Sequence, residues 1–212
     1  MIEYPSIINS SKAPRKHCFI YDKLDGSNFR AKYTRKNGFE LYGTRTQLID
    51  QTTPMWGEMV QVFEQNLKEP LTDFFKSDRD YRNHREIIVF GEFLGENSFA
   101  GRHVDEPHRI VLFDVMVGHK DRKFLTPIEF ERDIASIPGI ETPMVLEVGN
   151  LTDQLIKDIR EGKYDVDEGV ICKGTERSGA YCGGVWKCKI KTNAYIEKLK
   201  SEFKDDWLKY GE

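Results

Sequence analysis

At 212 residues, 39% of them hydrophobic and 32% charged, the chain has an ordinary globular composition and enough length to bury a sizeable core. No apolar run approaches the roughly 20 residues of a membrane span, and the amino terminus lacks the basic-then-apolar pattern of a signal peptide. The net charge of −3 argues against a general polyanion binder, yet its distribution is uneven. Residues 1–36 hold eight Lys/Arg against three Asp/Glu, residues 186–200 hold five Lys against Glu197, and the remainder sums to −12. Two basic segments on an acidic chain would steer a polyanion to one face.

Taken in chain order, the pattern predicts strands at 17–22, 27–34 and 38–43, the first two joined by a tight turn over Lys23–Asn28. Trp56, Met59, Val60, Phe63 and Leu67 recur at helical spacing and predict an amphipathic helix. The charged segment 68–85 reads as a mobile loop. Strands follow at 86–94 and 109–117. Thr126-Pro127-Ile128-Glu129 is a capping box with proline at the first helical position, and Phe130, Ile134 and Ile137 form the buried face of the helix it opens, ending at Pro138-Gly139. A strand at 143–148 precedes a helix that starts at Thr152, buries Leu155, Ile156 and Ile159, and stops at Gly162. Strands at 168–174 and 185–191 lead into a last helix, about 194–210, with Ile196, Leu199, Phe203 and Leu208 on one side. No repeat or low-complexity linker interrupts the chain, so residues 1–212 read as one α+β domain of antiparallel sheets flanked by helices. Cys18, Cys172, Cys182 and Cys188 form neither a CxxC pair nor a metal-ligand spacing. Three of them fall in strands, which fits buried reduced thiols and a cytoplasmic setting.

The chemistry-bearing stretch is Lys23-Leu24-Asp25-Gly26-Ser27-Asn28, a lysine presented just before a turn that glycine allows. Alone it would describe a hairpin with a solvated lysine. It is followed, in order, by Gly43-Thr44-Arg45-Thr46, Phe90-Gly91-Glu92-Phe93-Leu94-Gly95, Val111-Leu112-Phe113-Asp114-Val115, Asp167-Glu168-Gly169-Val170-Ile171-Cys172-Lys173 and Lys189-Ile190-Lys191. This ordered set resembles motifs I, Ia, III, IIIa, IV and V of the covalent nucleotidyltransferases, the superfamily of ATP-dependent DNA and RNA ligases and mRNA capping enzymes. Asn28 after Gly-Ser, and Lys189 to Tyr195 in the form Lys-x-Lys-Thr-x-x-Tyr, resemble RNA ligases of the bacteriophage type. Lys187-Cys188-Lys189 also fits Lys-x-Lys; Thr192 and Tyr195 favour Lys189 with Lys191. Asp25 stands where some of these ligases carry histidine.

The resemblance implies a ligase catalytic fold without an OB-fold domain, and an ATP-dependent RNA ligase working through a lysine–AMP intermediate. It places Lys23 as the adenylated nucleophile, Lys189 and Lys191 on the α-phosphate, and Arg45 near sugar and phosphate. Glu92 would bond the ribose, Phe113 would stack on the base, and Asp22 and Asn28 would complete the nucleotide contacts. Glu168 would serve a Mg²⁺ ion, for which Mn²⁺ can substitute. The partners implied are RNA ends or a nicked RNA duplex in the cytoplasm (of the host, for a chain of phage origin), together with a partner protein supplying a carboxy-terminal function for which this chain has no room. The competing readings are a DNA ligase or GTP-using capping enzyme, and a non-catalytic module that holds nucleotides or RNA ends. Retention of Lys23 and of the motif V lysines counts against the last. The five histidines form no constellation and carry no assigned role.

Overall fold

The computed structural model of the chain describes residues 1–96, 103, 105–204 and 207. Its strands are β1 (Ile8–Asn9), β2 (His17–Asp22), β3 (Ser27–Thr34), β4 (Gly38–Gly43), β5 (Leu48–Ile49), β6 (Glu86–Leu94), β7 (Arg109–Val117), β8 (Lys123–Phe124), β9 (Val145–Asn150), β10 (Gly169–Gly174) and β11 (Lys187–Lys191). Its α-helices are α1 (Gly57–Asn66), α2 (Lys68–Ser77), α3 (Pro127–Asp133), α4 (Asp153–Arg160) and α5 (Asn193–Phe203). The chain divides into two compact units: Met1–Pro5, Asp25–Thr142 and Cys182–Gly184 form the first, and Ser6–Leu24, Pro143–Tyr181 and Val185–Glu212 the second.

The first unit is built on a six-stranded antiparallel sheet in the order β5-β4-β3-β6-β7-β8. One face carries Phe29, Ala31, Tyr33, Phe39, Val89, Phe93, Leu112 and Val115, on which Met59, Val60 and Phe63 of α1 and Leu71 and Phe75 of α2 pack to form the core. Strand alternation puts Asn28, Arg30 and Lys32 on the opposite face. The capping box of α3 is present as expected: Thr126 accepts from the Glu129 amide, and the Glu129 carboxylate accepts from the Thr126 amide. Phe130, Ile134 and Ile137 are buried behind it.

Of the segment 68–85 expected as a mobile loop, residues 68–77 form helix α2 and residues 78–85 are turns and irregular structure. The charged residues of α2 masked the signal, because Leu71, Phe74 and Phe75 supply the i, i+3, i+4 stripe that a helix requires. Pro70 sits in the first turn, where the missing N–H costs nothing, and Leu71 and Phe75 are fully buried.

The second unit holds a five-stranded sheet, order β1-β11-β10-β2-β9, antiparallel except for the β1–β11 pair. Leu155, Ile156 and Ile159 of α4 pack against Cys18, Ile20, Val170, Cys172, Cys188 and Ile190. Each such side chain contributes about 1.5–3 kcal/mol on burial. All four cysteines are free, and Cys18, Cys172 and Cys188 are buried as expected. Several boundaries move: β9 spans Val145–Asn150 rather than 143–148, β10 begins at Gly169 rather than 168, β11 begins at Lys187 rather than 185, and the last helix is described over Asn193–Phe203, capped by Thr192 accepting from the Tyr195 amide. Tyr195 and Leu199 form its buried face. Leu208, expected on that face, lies outside the described residues.

Candidate active site

Three strands of the second unit assemble the lysine chemistry. In β11, Cys188 and Ile190 enter the core, so Lys187, Lys189 and Lys191 project to the other face. In β10, Lys173 does the same beside the buried Cys172, and its ammonium lies 4.8 Å from the Tyr21 ring centroid on β2. Lys173 is directly opposite Lys187 in register, and Gly169 is opposite Lys191. Like charges facing each other across a ladder are unfavourable, and four lysines on one sheet face describe a surface built for anions.

Lys23 follows β2 and is fixed by its amide donating to the Gly169 carbonyl at 3.0 Å. Its ammonium donates to Glu168 Oε2 at 2.6 Å, and Lys191 Nζ lies 3.1 Å from Glu168 Oε1. Glu168 therefore bridges two cations with its two oxygens, its side chain only 4% exposed. Gly169 is what lets this happen. It adopts φ 149°, and a Cβ there would sit 2.0 Å from the Ile190 carbonyl oxygen, so only glycine turns the chain into β10 at this point. The Glu168 carbonyl in turn accepts from the Thr192 amide, tying the carboxylate's backbone to the start of α5. Asp22 is half-buried; burial, and then the charges of Asp167 and Glu168, hold its carboxyl above the usual range.

The first unit carries the other expected residues. Asn28 is opposite Glu92 in the β3–β6 ladder. Glu92 Oε1 accepts from the Gly26 amide at 3.2 Å, and a Cβ on Gly26 would meet the Phe93 carbonyl oxygen at 2.5 Å. The turn after the nucleophile is therefore seated on the strand that carries the expected ribose ligand. Arg45 is exposed in the connection between β4 and β5, which is closed by the Thr44 amide donating to the Gln47 carbonyl.

Phe113 is the extra residue of a bulge: Phe90 pairs with Asp114 and Gly91 with Leu112, leaving Phe113 between them. The bulge takes its ring out of the core that Leu112 and Val115 enter and leaves it half-buried, as bulges beside functional sites commonly do.

Residues not singled out from the pattern also gather here. The Tyr4 ring meets Phe113 edge-on at 5.1 Å, and its hydroxyl donates to Asp114 Oδ2 at 2.5 Å. Burial and the Asp114 carboxylate push the Tyr4 phenol well above its usual range. His103 Nε2 lies 2.9 Å from the Asp25 carbonyl oxygen, so one histidine does touch the turn after Lys23. Neither residue stands in a periodic segment that would have marked it.

Among the described residues no group of three or more His, Cys, Asp or Glu could hold a metal ion unaided. Glu168 offers a single well-placed carboxylate. That donor set fits Mg²⁺, which keeps several waters and is held by one or two carboxylates together with substrate phosphates.

Antiparallel sheets flanked by helices, carrying a lysine–carboxylate–lysine cluster at the ends of β2, β10 and β11, define a nucleotidyltransferase-type α+β fold. The sequence profile of the RNA ligase family matches residues 16–192, and the chain belongs to that family. No curated protein sequence matches the chain significantly. Solved structures do. A variant of the Naegleria gruberi RNA ligase with ATP and Mn matches with a TM-score of 0.71 at 19% identity, over 94% of this chain and 58% of that one. The same ligase with PPi matches at 0.66 and 20% identity, over 88% and 52%. A further variant with AMP and Mn gives 0.67 at 18% identity, over 93% and 58%. The chain thus spans little more than half the length of these proteins. No described helix is long and apolar enough to cross a membrane.

Proposed function

We propose that the chain is an ATP-dependent RNA ligase, its two units acting as one adenylyltransferase domain over residues 1–212. Lys23 attacks the α-phosphorus of ATP, forming a lysine–AMP phosphoramidate and releasing pyrophosphate. AMP then passes to an RNA 5′-phosphate, and a 3′-hydroxyl displaces it to close the phosphodiester. The observation that carries this reading is the Lys23–Glu168–Lys191 cluster, a nucleophilic amine and a second cation held on one buried carboxylate. Family membership and structural neighbours solved with ATP, AMP, PPi and Mn support it.

An ammonium has no lone pair, so Lys23 must give up its proton before attack. In the cluster it donates to Glu168, which keeps it aligned and charged. Glu168 would hold Mg²⁺, which would supply positive charge against the α-phosphate. Lys191 and Lys189 disfavour a third cation beside them, which favours the neutral amine that attacks. The same two lysines neutralise the phosphate as its charge builds. Asp22, Asn28, Glu92, Arg45 and Phe113 are assigned to the remaining nucleotide contacts: polar groups to base edge, ribose and phosphate, and an aromatic face to the adenine.

The test is strand joining. A 5′-phosphorylated RNA bearing a 3′-hydroxyl, single-stranded or as a nick in duplex, is incubated with ATP and Mg²⁺ and scored for phosphatase-resistant product. Joining by the wild type and none by Lys23→Ala is expected. Product from both proteins, or from neither on any RNA end, contradicts the proposal.

A further inference from the structure

Arg30 lies on β3 between Phe29 and Ala31, both fully buried in the first unit's core. Alternation sends its side chain to the opposite face, with Asn28 two residues before it and Gly43 and Phe90 its neighbours in register on either side. There it is 2% exposed. Its Nε and Nη1 have no hydrogen-bond partner among the described residues, and neither has Asn28 Oδ1. Charged residues are almost never so deeply buried unless paired, and arginine cannot relieve the cost by losing its proton. The surroundings are shaped around the guanidinium. A Cβ on Gly43 would lie 2.9 Å from Arg30 Nε, 2.8 Å from the Gln47 carbonyl oxygen and 3.1 Å from Met1 Cε, so glycine leaves room for the side chain at the start of the segment that carries Arg45.

We propose that Arg30 anchors a phosphate subsite on this face, with Asn28 receiving a sugar hydroxyl of the same ligand. Nε and Nη1 donate on opposite sides of the guanidinium, so each offers a charge-assisted bond of its own, and phosphate oxygens are acceptors that match its charge. The orphaned Asn28 oxygen needs a donor, which a phosphate dianion lacks and a ribose hydroxyl provides. A phosphorylated ribose brings both kinds of partner, phosphate acceptors for the guanidinium and a hydroxyl donor for Asn28. Taking the ligase reading as given, it has two sources: the polyphosphate of ATP or the 5′-phosphate end of RNA.

Arg30→Met, Arg30→Lys and Asn28→Asp separate these possibilities. Met fills the space without charge, Lys keeps the charge without the planar guanidinium, and Asp places a carboxylate where it can take the guanidinium from the ligand. Binding of ATP, of a 5′-phosphorylated RNA and of the same RNA with a 5′-hydroxyl is measured alongside the melting temperature. A subsite predicts a loss of roughly tenfold or more in Arg30→Met, the size of one charged hydrogen-bond pair, with a partial recovery in Arg30→Lys and a loss in Asn28→Asp. The melting temperature stays level or rises in Arg30→Met and Asn28→Asp, since a buried cation with two unmet donors is removed or gains a partner. Loss on ATP identifies the polyphosphate; loss on phosphorylated RNA, with the 5′-hydroxyl RNA unaffected, identifies the RNA end. Wild-type affinity in Arg30→Met for both ligands overturns the proposal, as does a fall of several degrees in its melting temperature that Arg30→Lys restores with no difference in affinity. A wild type that binds neither ATP nor RNA contradicts the ligase reading itself.

Discussion

Glu168→Gln perturbs the cluster while keeping its shape. The wild-type carboxylate bonds Lys23 at 2.6 Å and Lys191 at 3.1 Å, with side-chain exposures of 4% for Glu168, 22% for Lys23 and 7% for Lys191. Exchanging the carboxylate for an amide leaves two cations near a group that can neutralise neither. Breaking a buried pair by removing one partner costs about 3–5 kcal/mol, and retention of an acceptor oxygen in Gln places the expectation near the lower end, about 3 kcal/mol. For a domain of this length that is a fall of roughly 6–12 °C in melting temperature. Lys191→Met made alone and together with Glu168→Gln completes a double-mutant cycle, read by urea unfolding, with an expected coupling of about 1.5–3 kcal/mol. Effects that add to within about 0.5 kcal/mol would show that Lys191 and Glu168 do not interact energetically, and the reasoning would fail.

Further outcomes follow from the same contacts. Leu71→Ala should cost about 2–5 kcal/mol, and the α2 amides should be protected in hydrogen exchange; a change below about 0.5 kcal/mol with rapid exchange would return the segment to a loop. Gly169→Ala drives a methyl into the Ile190 carbonyl and should abolish adenylate formation while lowering the melting temperature; wild-type adenylation in this variant contradicts the backbone argument. Asp22 titrates with its folded-state pKa above the unfolded one. Its charged form therefore penalises the fold at neutral pH, and the penalty is relieved as pH falls through the folded pKa. Asp22→Asn should thus be more stable than wild type at pH 7, with the difference shrinking on acidification. A difference that grows toward low pH has the wrong sign for this account.

Strands β3, β4, β6 and β7 follow the sequence reading to the residue: β3 alternates apolar and polar residues, while β6 and β7 are apolar runs buried along most of their length. Helix α2 was hidden because six of its ten residues are charged or polar, a majority that a count of composition registers before the three-residue apolar stripe. β1, β5 and β8 are two-residue strands, too short for any period to show. At the site, Lys23, Glu168 and Lys191 were legible as motif residues, and the structure brings their charged atoms together. Phe113 was legible only through its motif, because a bulge interrupts the strand's alternation at that residue and takes the ring out of the core. Arg30 and Tyr4 could not have been found by pattern. One is a charge inside a strand whose neighbours explain it only once burial is known, and the other belongs to an irregular segment.

The central claim is that Lys23 becomes covalently adenylated. Purified protein, stripped of any bound adenylate with pyrophosphate, is incubated with Mg²⁺ and α-labelled ATP or GTP and then denatured. The account predicts label from ATP alone on the wild type, stable to denaturation and absent from Lys23→Ala. Label retained by Lys23→Ala would move the nucleophile elsewhere, label from GTP would indicate capping-type chemistry, and an unlabelled wild type would contradict the claim.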